Sequence, residues 1–277
     1  MYKLIAFDLD ETLFNDNGEI DYLNLQAMHA AQRHGVKLVP ASGRTPGFLG
    51  DVLESLGVNE QNDEYCILGN GGVIVENYRN TILYAHPLSF DLAITLFNFG
   101  LDYDVCIQVF TPEQIYFFNT DPIEHEYALR YPDIISFKKS SEGIAFLKDK
   151  TIIKMIYEKR DMEYLEGISK ALNKLNHNEF AVSFSSGRYL ELNQLGINKG
   201  HGLKELADYL KIDLKDTIAI GDNHNDLEMI EMAGLGVGVN NAIDEVKRVA
   251  DYICESDHND NALAEVINKF ILGAKHE

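Results

Sequence analysis

Apolar positions near the N-terminus run unbroken from Leu4 to Phe7 and stop at two acids, Asp8 and Asp10. A short continuous apolar run of this kind suits a strand buried on both faces at the centre of a parallel sheet. Leu23, Ala27, Ala30, Ala31 and His34 then recur at helical spacing, and Gly35 closes that helix before a second expected strand, 36–41. Thr45 and Pro46 read as the start of another helix, with Phe48, Leu49, Val52, Leu53 and Leu56 on one face, before a strand over 65–68. The opening third of the chain thus alternates strand and helix.

From about Thr81 the rhythm changes. Strand-like runs at 81–85, 104–110, 115–118, 152–157 and 180–184 crowd together with few helices, which predicts a separate sheet of α+β type. One helix there is marked by Asp121 as cap and Pro122 at its first position, another by Asp161 ahead of Met162, Leu165, Ile168, Leu172 and Leu175. After about Arg188 the strand-helix alternation resumes, with strands near 217–221, 236–239 and 252–254. The pattern predicts an α/β protein in which residues 1–84 and 187–277 form a doubly wound, mostly parallel sheet and residues 85–186 an inserted α+β domain.

Composition narrows the class. With 45% hydrophobic and 25% charged residues among 277, the chain has enough apolar material for two packed cores. Its formal charge of −20 repels polyanions, which excludes nucleic acid as an expected partner. No apolar stretch approaches the roughly 20 residues of a membrane span, and MYKLIAFDLD lacks the apolar core of a signal peptide, so a cytoplasmic protein with no membrane partner is expected. Cys66, Cys106 and Cys254, odd in number and far apart, read as buried core thiols.

In open parallel sheets ligands bind beyond the carboxyl ends of the strands, a rule that selects Asp8 and Asp10, Ser42, and Gly221 with Asp222. A D-x-D pair alone means little, since a chain of this acidity contains about one by chance; Asp102-Tyr103-Asp104 is a second, and it precedes a strand. What distinguishes Asp8 and Asp10 is their company in order: Ser42-Gly43-Arg44, then Lys199 within Gly196-Ile197-Asn198-Lys199-Gly200, then Gly221-Asp222-Asn223-His224-Asn225-Asp226. With Asn70-Gly71-Gly72, Gly238-Val239-Asn240-Asn241-Ala242 and Ala250-Asp251-Tyr252, this set resembles the haloacid dehalogenase superfamily, and within it the Cof-type (subfamily IIB) phosphatases with an inserted α/β cap.

Asp8, Asp10, Asp222 and Asp226 would bring four negative charges to one crevice against Lys199 and Arg44. Such a site requires a cation, and hard oxygen ligands favour Mg²⁺. The resemblance implies hydrolysis of a small phosphorylated metabolite, a sugar phosphate or phosphorylated cofactor. It makes Asp8 the nucleophile that forms an aspartyl-phosphate and Asp10 the group that protonates the leaving oxygen and then deprotonates water. It also implies that Thr12 orients the nucleophile loop, that Ser42, Gly43 and Lys199 bind phosphoryl oxygens, and that Asn225 supports the metal shell or Lys199. Arg44, Asn70 and Gly71 are the groups expected near the leaving group, with Arg188 as an assistant from the insert, where substrate choice should lie. Two other readings stay open: a phosphomutase, which returns the phosphoryl group to sugar, and a catalytically silent phospholigand sensor. A monomer or small homo-oligomer is expected.

Glu11 stands where the family usually has glycine, Ser42 where threonine is commoner, and Asn261-Ala262 where Gly-Val often follows an acidic loop, so that loop receives no role. His224 falls at a variable position and reads as solvent-facing or at the substrate's edge, not as a metal ligand. Gly234 to Gly238 lacks the G-x-G-x-x-G spacing and reads as structural glycine, and Tyr116, Phe117 and Phe118 read as core.

Overall fold

The computed structural model describes residues 1–175 and 178–273. Its chain divides into two compact units, one of residues 1–44, 49–84 and 198–277, the other of 45–48 and 85–197. In chain order the first unit contributes β1 (Leu4–Phe7), α1 (Tyr22–Arg33), β2 (Lys37–Pro40), α2 (Gly50–Ser55), β3 (Tyr65–Leu68), β4 (Val73–Glu76) and β5 (Thr81–Ala85). The second contributes α3 (Phe90–Gly100), β6 (Cys106–Phe110), β7 (Ile115–Phe118), α4 (Pro122–Ala128), β8 (Ile135–Lys138), β9 (Lys154–Glu158), α5 (Met162–Leu175), β10 (Phe180–Ser185) and β11 (Tyr189–Gln194). The first unit resumes with α6 (Lys199–Leu210), β12 (Thr217–Gly221), α7 (Leu227–Met232), β13 (Leu235–Gly238), α8 (Asp244–Val249), β14 (Tyr252–Ile253) and α9 (Ala262–Ile267).

The main sheet has the order β14-β13-β12-β1-β2 and is parallel throughout. All four residues of β1 are fully buried, as are Ile218, Ala219 and Ile220 of β12, which accounts for the unbroken apolar runs. From β1 the chain proceeds to β2 on one side, while β12, β13 and β14 extend the sheet on the other. The β1/β12 boundary is therefore the topological switch point, where ligand crevices open. Register aligns Phe7 with Ile220 on one neighbour and Pro40 on the other, so the residues that follow, Asp8, Gly221 and Ala41, stand at one level at the carboxyl edge of the sheet.

The second unit holds a six-stranded sheet, β10-β11-β9-β6-β7-β8, antiparallel except where β7 meets β8. Leu96 and Phe97 of α3 and Leu165, Ile168 and Leu172 of α5 pack with Ile107, Val109, Phe118 and Tyr157 on one face. Cys106, Phe110, Phe117 and Ile156 form a smaller cluster on the other. The expected doubly wound parallel sheet with an α+β insert is the fold observed.

Several local expectations are corrected. Residues 81–85 form β5, which extends the β3-β4 hairpin instead of the insert's sheet, because left-handed Arg79 and Asn80 turn the chain back on itself. The helix expected from Pro46 breaks into a single 3₁₀ turn, Pro46–Phe48, and the short α2; Gly47 and Gly50 disfavour one continuous helix. On α1 the buried face is Asn24, Ala27, Met28 and Ala31, while Leu23 is exposed; Asn24 is drawn inside because its Oδ1 accepts the Ala264 N–H. The segment after Arg188 forms β11, which pairs with β9 and β10, so the second unit runs to Ile197 and the return falls later than 187. The caps at Asp121 and Asp161 are present, accepting from the Glu124 and Tyr164 N–H groups. All three cysteines are buried and free, and burial pushes their thiols up, that of Cys254 to about 12. Among the described residues no helix is long and apolar enough to cross a membrane.

Candidate active site

Asp8 leaves β1 with its N–H bonded to the Ile220 carbonyl of β12, which places its side chain at the switch point. There it meets Lys199, the first residue of α6. The Lys199 ammonium lies 2.5 Å from Asp8 Oδ1 and 2.6 Å from Asp226 Oδ1, and is fully buried. Asn198 caps α6 by accepting the His201 N–H, which fixes where the lysine starts.

Glycine lets these elements approach. Gly71 has φ +88°, and a methyl group there would lie 2.1 Å from the Asn198 carbonyl oxygen. A methyl on Gly221 would strike the Asp226 carboxyl at 2.4 Å. Asp226 is held from the other side, its Oδ2 accepting the N–H groups of Asp222 and Asn223.

Oxygens of Asp8, Asp222 and Asp226 all lie within 4.8 Å of one another, and all three residues are buried. Against these three carboxylates stands one ammonium. Burial, then the Asp226 and Asp222 charges, hold the Asp8 carboxyl well above the usual range despite Lys199. Burial and Asp226 push Asp222 up to about 7, opposed by a hydrogen bond from Thr12. The carboxylates raise Lys199 above its ordinary value against its own burial and keep it charged. One cause explains every direction: the ionised cluster has an excess of two negative charges with little water to screen them. A divalent cation balances that excess, so the donor set fits a hard metal ion.

Asp10 does not join this group. Its side chain, 62% exposed, pairs with Arg44 through Nη2 to Oδ1 at 2.6 Å and Nε to Oδ2 at 3.2 Å, apart from the three buried acids with which it is expected to share a metal. Arg44, stacked over Phe14, is engaged by that acid. Thr12, fully buried, donates its hydroxyl proton to Asp222 Oδ1 at 2.7 Å and so supports an acid of the cluster. Ser42 is buried at the end of β2, its Oγ accepting the Arg44 N–H and its carbonyl accepting from Asn70, with Gly43 between. Asn70, at φ +56°, accepts from Asn225 Nδ2 at 3.4 Å, which joins the 69–72 turn to the Asp222 loop. His224 is exposed, and Gly234 and Gly236 are structural, since a methyl on either would strike a backbone oxygen. Arg188 belongs to the second unit, where it lies over Tyr127 and Tyr189 and stands 3.9 Å from Glu124.

A family profile described as haloacid dehalogenase-like hydrolase matches residues 5–267. The chain belongs to that family. Within this haloacid dehalogenase-like family it is an enzyme of the phosphatase branch. It is 32% identical over 276 residues to YxeH of Bacillus subtilis, named as a phosphatase, with 98% of this chain and 99% of that one covered. YcsE of the same organism, named 5-amino-6-(5-phospho-D-ribitylamino)uracil phosphatase, is 28% identical over 277 residues, with 98% and 96% covered. Among solved structures, a haloacid dehalogenase-like hydrolase from Bacteroides thetaiotaomicron aligns at TM-score 0.84 and 30% identity over 97% of this chain and 99% of its own. The HAD subclass IIB sugar phosphatase BT4131 aligns at TM-score 0.80 over 97% and 98%, a likeness of fold at 19% identity. The Cof-type resemblance read from the motifs is borne out.

Residues that carried no expectation also reach the site. The Ile243 N–H donates to the Asp222 carbonyl, and Asn241 Nδ2 donates to the Glu11 carbonyl beside Asp10. Asn241 stood within a motif, but nothing in its spacing pointed to the nucleophile loop.

Proposed function

We propose that this enzyme hydrolyses a small phosphomonoester, a sugar phosphate or phosphorylated cofactor, with Mg²⁺ and through an aspartyl-phosphate on Asp8. The observation that carries the reading is the convergence of Asp8, Asp222 and Asp226 at the sheet's switch point, with the buried ammonium of Lys199 paired to Asp8 and Asp226. YcsE is named for a substrate with a phosphorylated ribityl chain, which supports a polyhydroxylated phosphomonoester as the substrate class.

Asp8, Asp222 and Asp226 would hold Mg²⁺, whose charge screens the phosphoryl oxygens from the attacking carboxylate. Lys199 holds one Asp8 oxygen and thereby directs the other at phosphorus. As the Asp8–phosphorus bond forms and the ester bond breaks, Asp10 gives its proton to the leaving oxygen. Asp10 then takes a proton from water, which attacks phosphorus, frees inorganic phosphate and restores Asp8. Asp10 must part from Arg44 to do this, and an incoming phosphoester offers the guanidinium a dianionic partner in exchange. Ser42, the Gly43 backbone and Lys199 supply donors to the phosphoryl oxygens. Asn70 and Gly71 shape the crevice rim.

The test is a panel of phosphorylated metabolites assayed with Mg²⁺ for inorganic phosphate, with the Asp8→Asn protein as control. Phosphate release by the wild type and none by the folded variant is expected. Turnover that moves phosphate between sugar hydroxyls without releasing it would replace hydrolysis with a mutase, and undiminished release by Asp8→Asn would remove Asp8 as nucleophile.

A further inference from the structure

The turn that carries Asp10 is held from outside by two distant segments. Glu11 adopts φ +59°, a left-handed conformation that glycine takes freely and glutamate does not. Its carbonyl accepts from Asn241 Nδ2 at 2.8 Å. The other end of the same amide, Asn241 Oδ1, accepts the His258 N–H at 3.1 Å, so both faces of the Asn241 side chain are fixed. The His258 ring in turn reaches Asp16 Oδ1 at 2.8 Å, and the Asp16 N–H donates to Asn259 Oδ1 at 3.0 Å. The loop is anchored from behind by Glu265 of α9, which accepts the N–H groups of Glu255 and Ser256 at 3.0 and 2.9 Å. A continuous chain of hydrogen bonds thus runs from α9 through residues 255–259 to both sides of the segment 11–16.

We propose that Asn241 and His258 are positioning residues for Asp10: they clamp the Glu11 carbonyl and the Asp16 side chain so that the turn between Asp8 and Thr12 keeps its left-handed form. This rests on the reading of Asp10 as the group that moves protons. Leu9 and Thr12 anchor the turn inside the protein, where both are fully buried, but Asp10 and Glu11 are exposed. With glutamate at position 11, the backbone has no intrinsic preference for this shape, and the amide of Asn241 supplies the hold. Loss of the clamp leaves Asp8, Lys199 and the acid cluster in place and misplaces Asp10 alone. The step that suffers is proton delivery to the leaving oxygen, and esters with poor leaving groups depend on it most.

The experiment compares kcat and KM of the full-length protein with Mg²⁺ on two probes of similar size, p-nitrophenyl phosphate and phenyl phosphate; the second has the poorer leaving group. In Asn241→Asp, Asn241→Ala and His258→Ala, kcat on phenyl phosphate is expected to fall about tenfold further than on p-nitrophenyl phosphate, with KM for either changed by no more than about twofold. His258→Gln keeps an N–H for Asp16 and is expected to restore the wild-type ratio. Asn241→Asp is nearly isosteric and keeps the acceptor for His258 while removing the donor to Glu11, so it reports the clamp without a change of size. Equal losses on both probes, or none, would overturn the positioning role. Activity surviving in Asp8→Asn would instead overturn the site reading beneath it, whatever the Asn241 variants do.

Discussion

Lys199 is the residue on which the charge balance of the site turns. It is fully buried, and its ammonium is shared between Asp8 and Asp226. Replacing it by methionine keeps the volume and strands the carboxylates. In the absence of divalent metal, Lys199→Met is expected to lose about 3–5 kcal/mol in urea denaturation, the usual cost of breaking a buried pair. Its kcat should fall at least about a hundredfold, as for loss of a donor to developing charge. A variant with wild-type stability and rate would show that the ammonium serves neither purpose. At this scale the sequence was legible where chemistry and strand ends coincide: Asp8, Asp10, Ser42 and Asp222 needed only the rule that places ligands beyond the strands, while Lys199, at the start of α6, was read from its motif. It was silent on which way a side chain points. Asp10 and Thr12 sit two residues apart on one turn, yet one faces solvent and Arg44 while the other is buried on Asp222, a choice made by partners more than 30 residues away.

Among the elements, short apolar strands and well-capped helices were readable, because burial on both faces and an Asp-Pro start leave local marks. β11 was not, since Tyr189, Glu191 and Asn193 put polar groups on a strand interior that Lys154 and a covered sheet face accommodate. β9 ends in a charged residue with a testable signature. Glu158 is almost fully buried, and burial, followed by the charges of Glu124 and Asp121, raises it from 4.5 to about 7 against the pull of Arg188 and Arg160. A carboxyl raised in the folded state favours folding fully at pH below its unfolded value, and that contribution disappears as pH rises through the folded one. Melting temperature should therefore carry a component that declines between about pH 4.5 and 7, and Glu158→Gln is expected to flatten that decline. An unchanged profile in the variant would assign the slope to other groups.

For the whole molecule, the balance of 24 basic against 44 acidic residues disfavours polyanionic partners, and the acid cluster gives that excess a specific focus. A cation that binds only the folded site stabilises it by mass action, about 2.7 kcal/mol at a hundred times its dissociation constant. Mg²⁺ is therefore expected to raise the melting temperature of the wild type well beyond that of Asp222→Asn at equal ionic strength. Equal shifts in the two proteins would mark general screening of surface charge. The change in rhythm near residue 81 lies close to Tyr84, where the first unit breaks off, whereas β11 returns to the second unit's sheet and leaves no such mark on the chain.

Phosphorylation of Asp8 itself can be trapped by quenching turnover with borohydride, which reduces an acyl phosphate to an alcohol, and then sequencing the peptide around Asp8 by mass spectrometry. Homoserine at position 8, only when substrate and Mg²⁺ are both present, is the expected result. Unmodified aspartate at position 8 in enzyme quenched during rapid turnover, with a positive control for trapping, would remove Asp8 as the phosphorylated group.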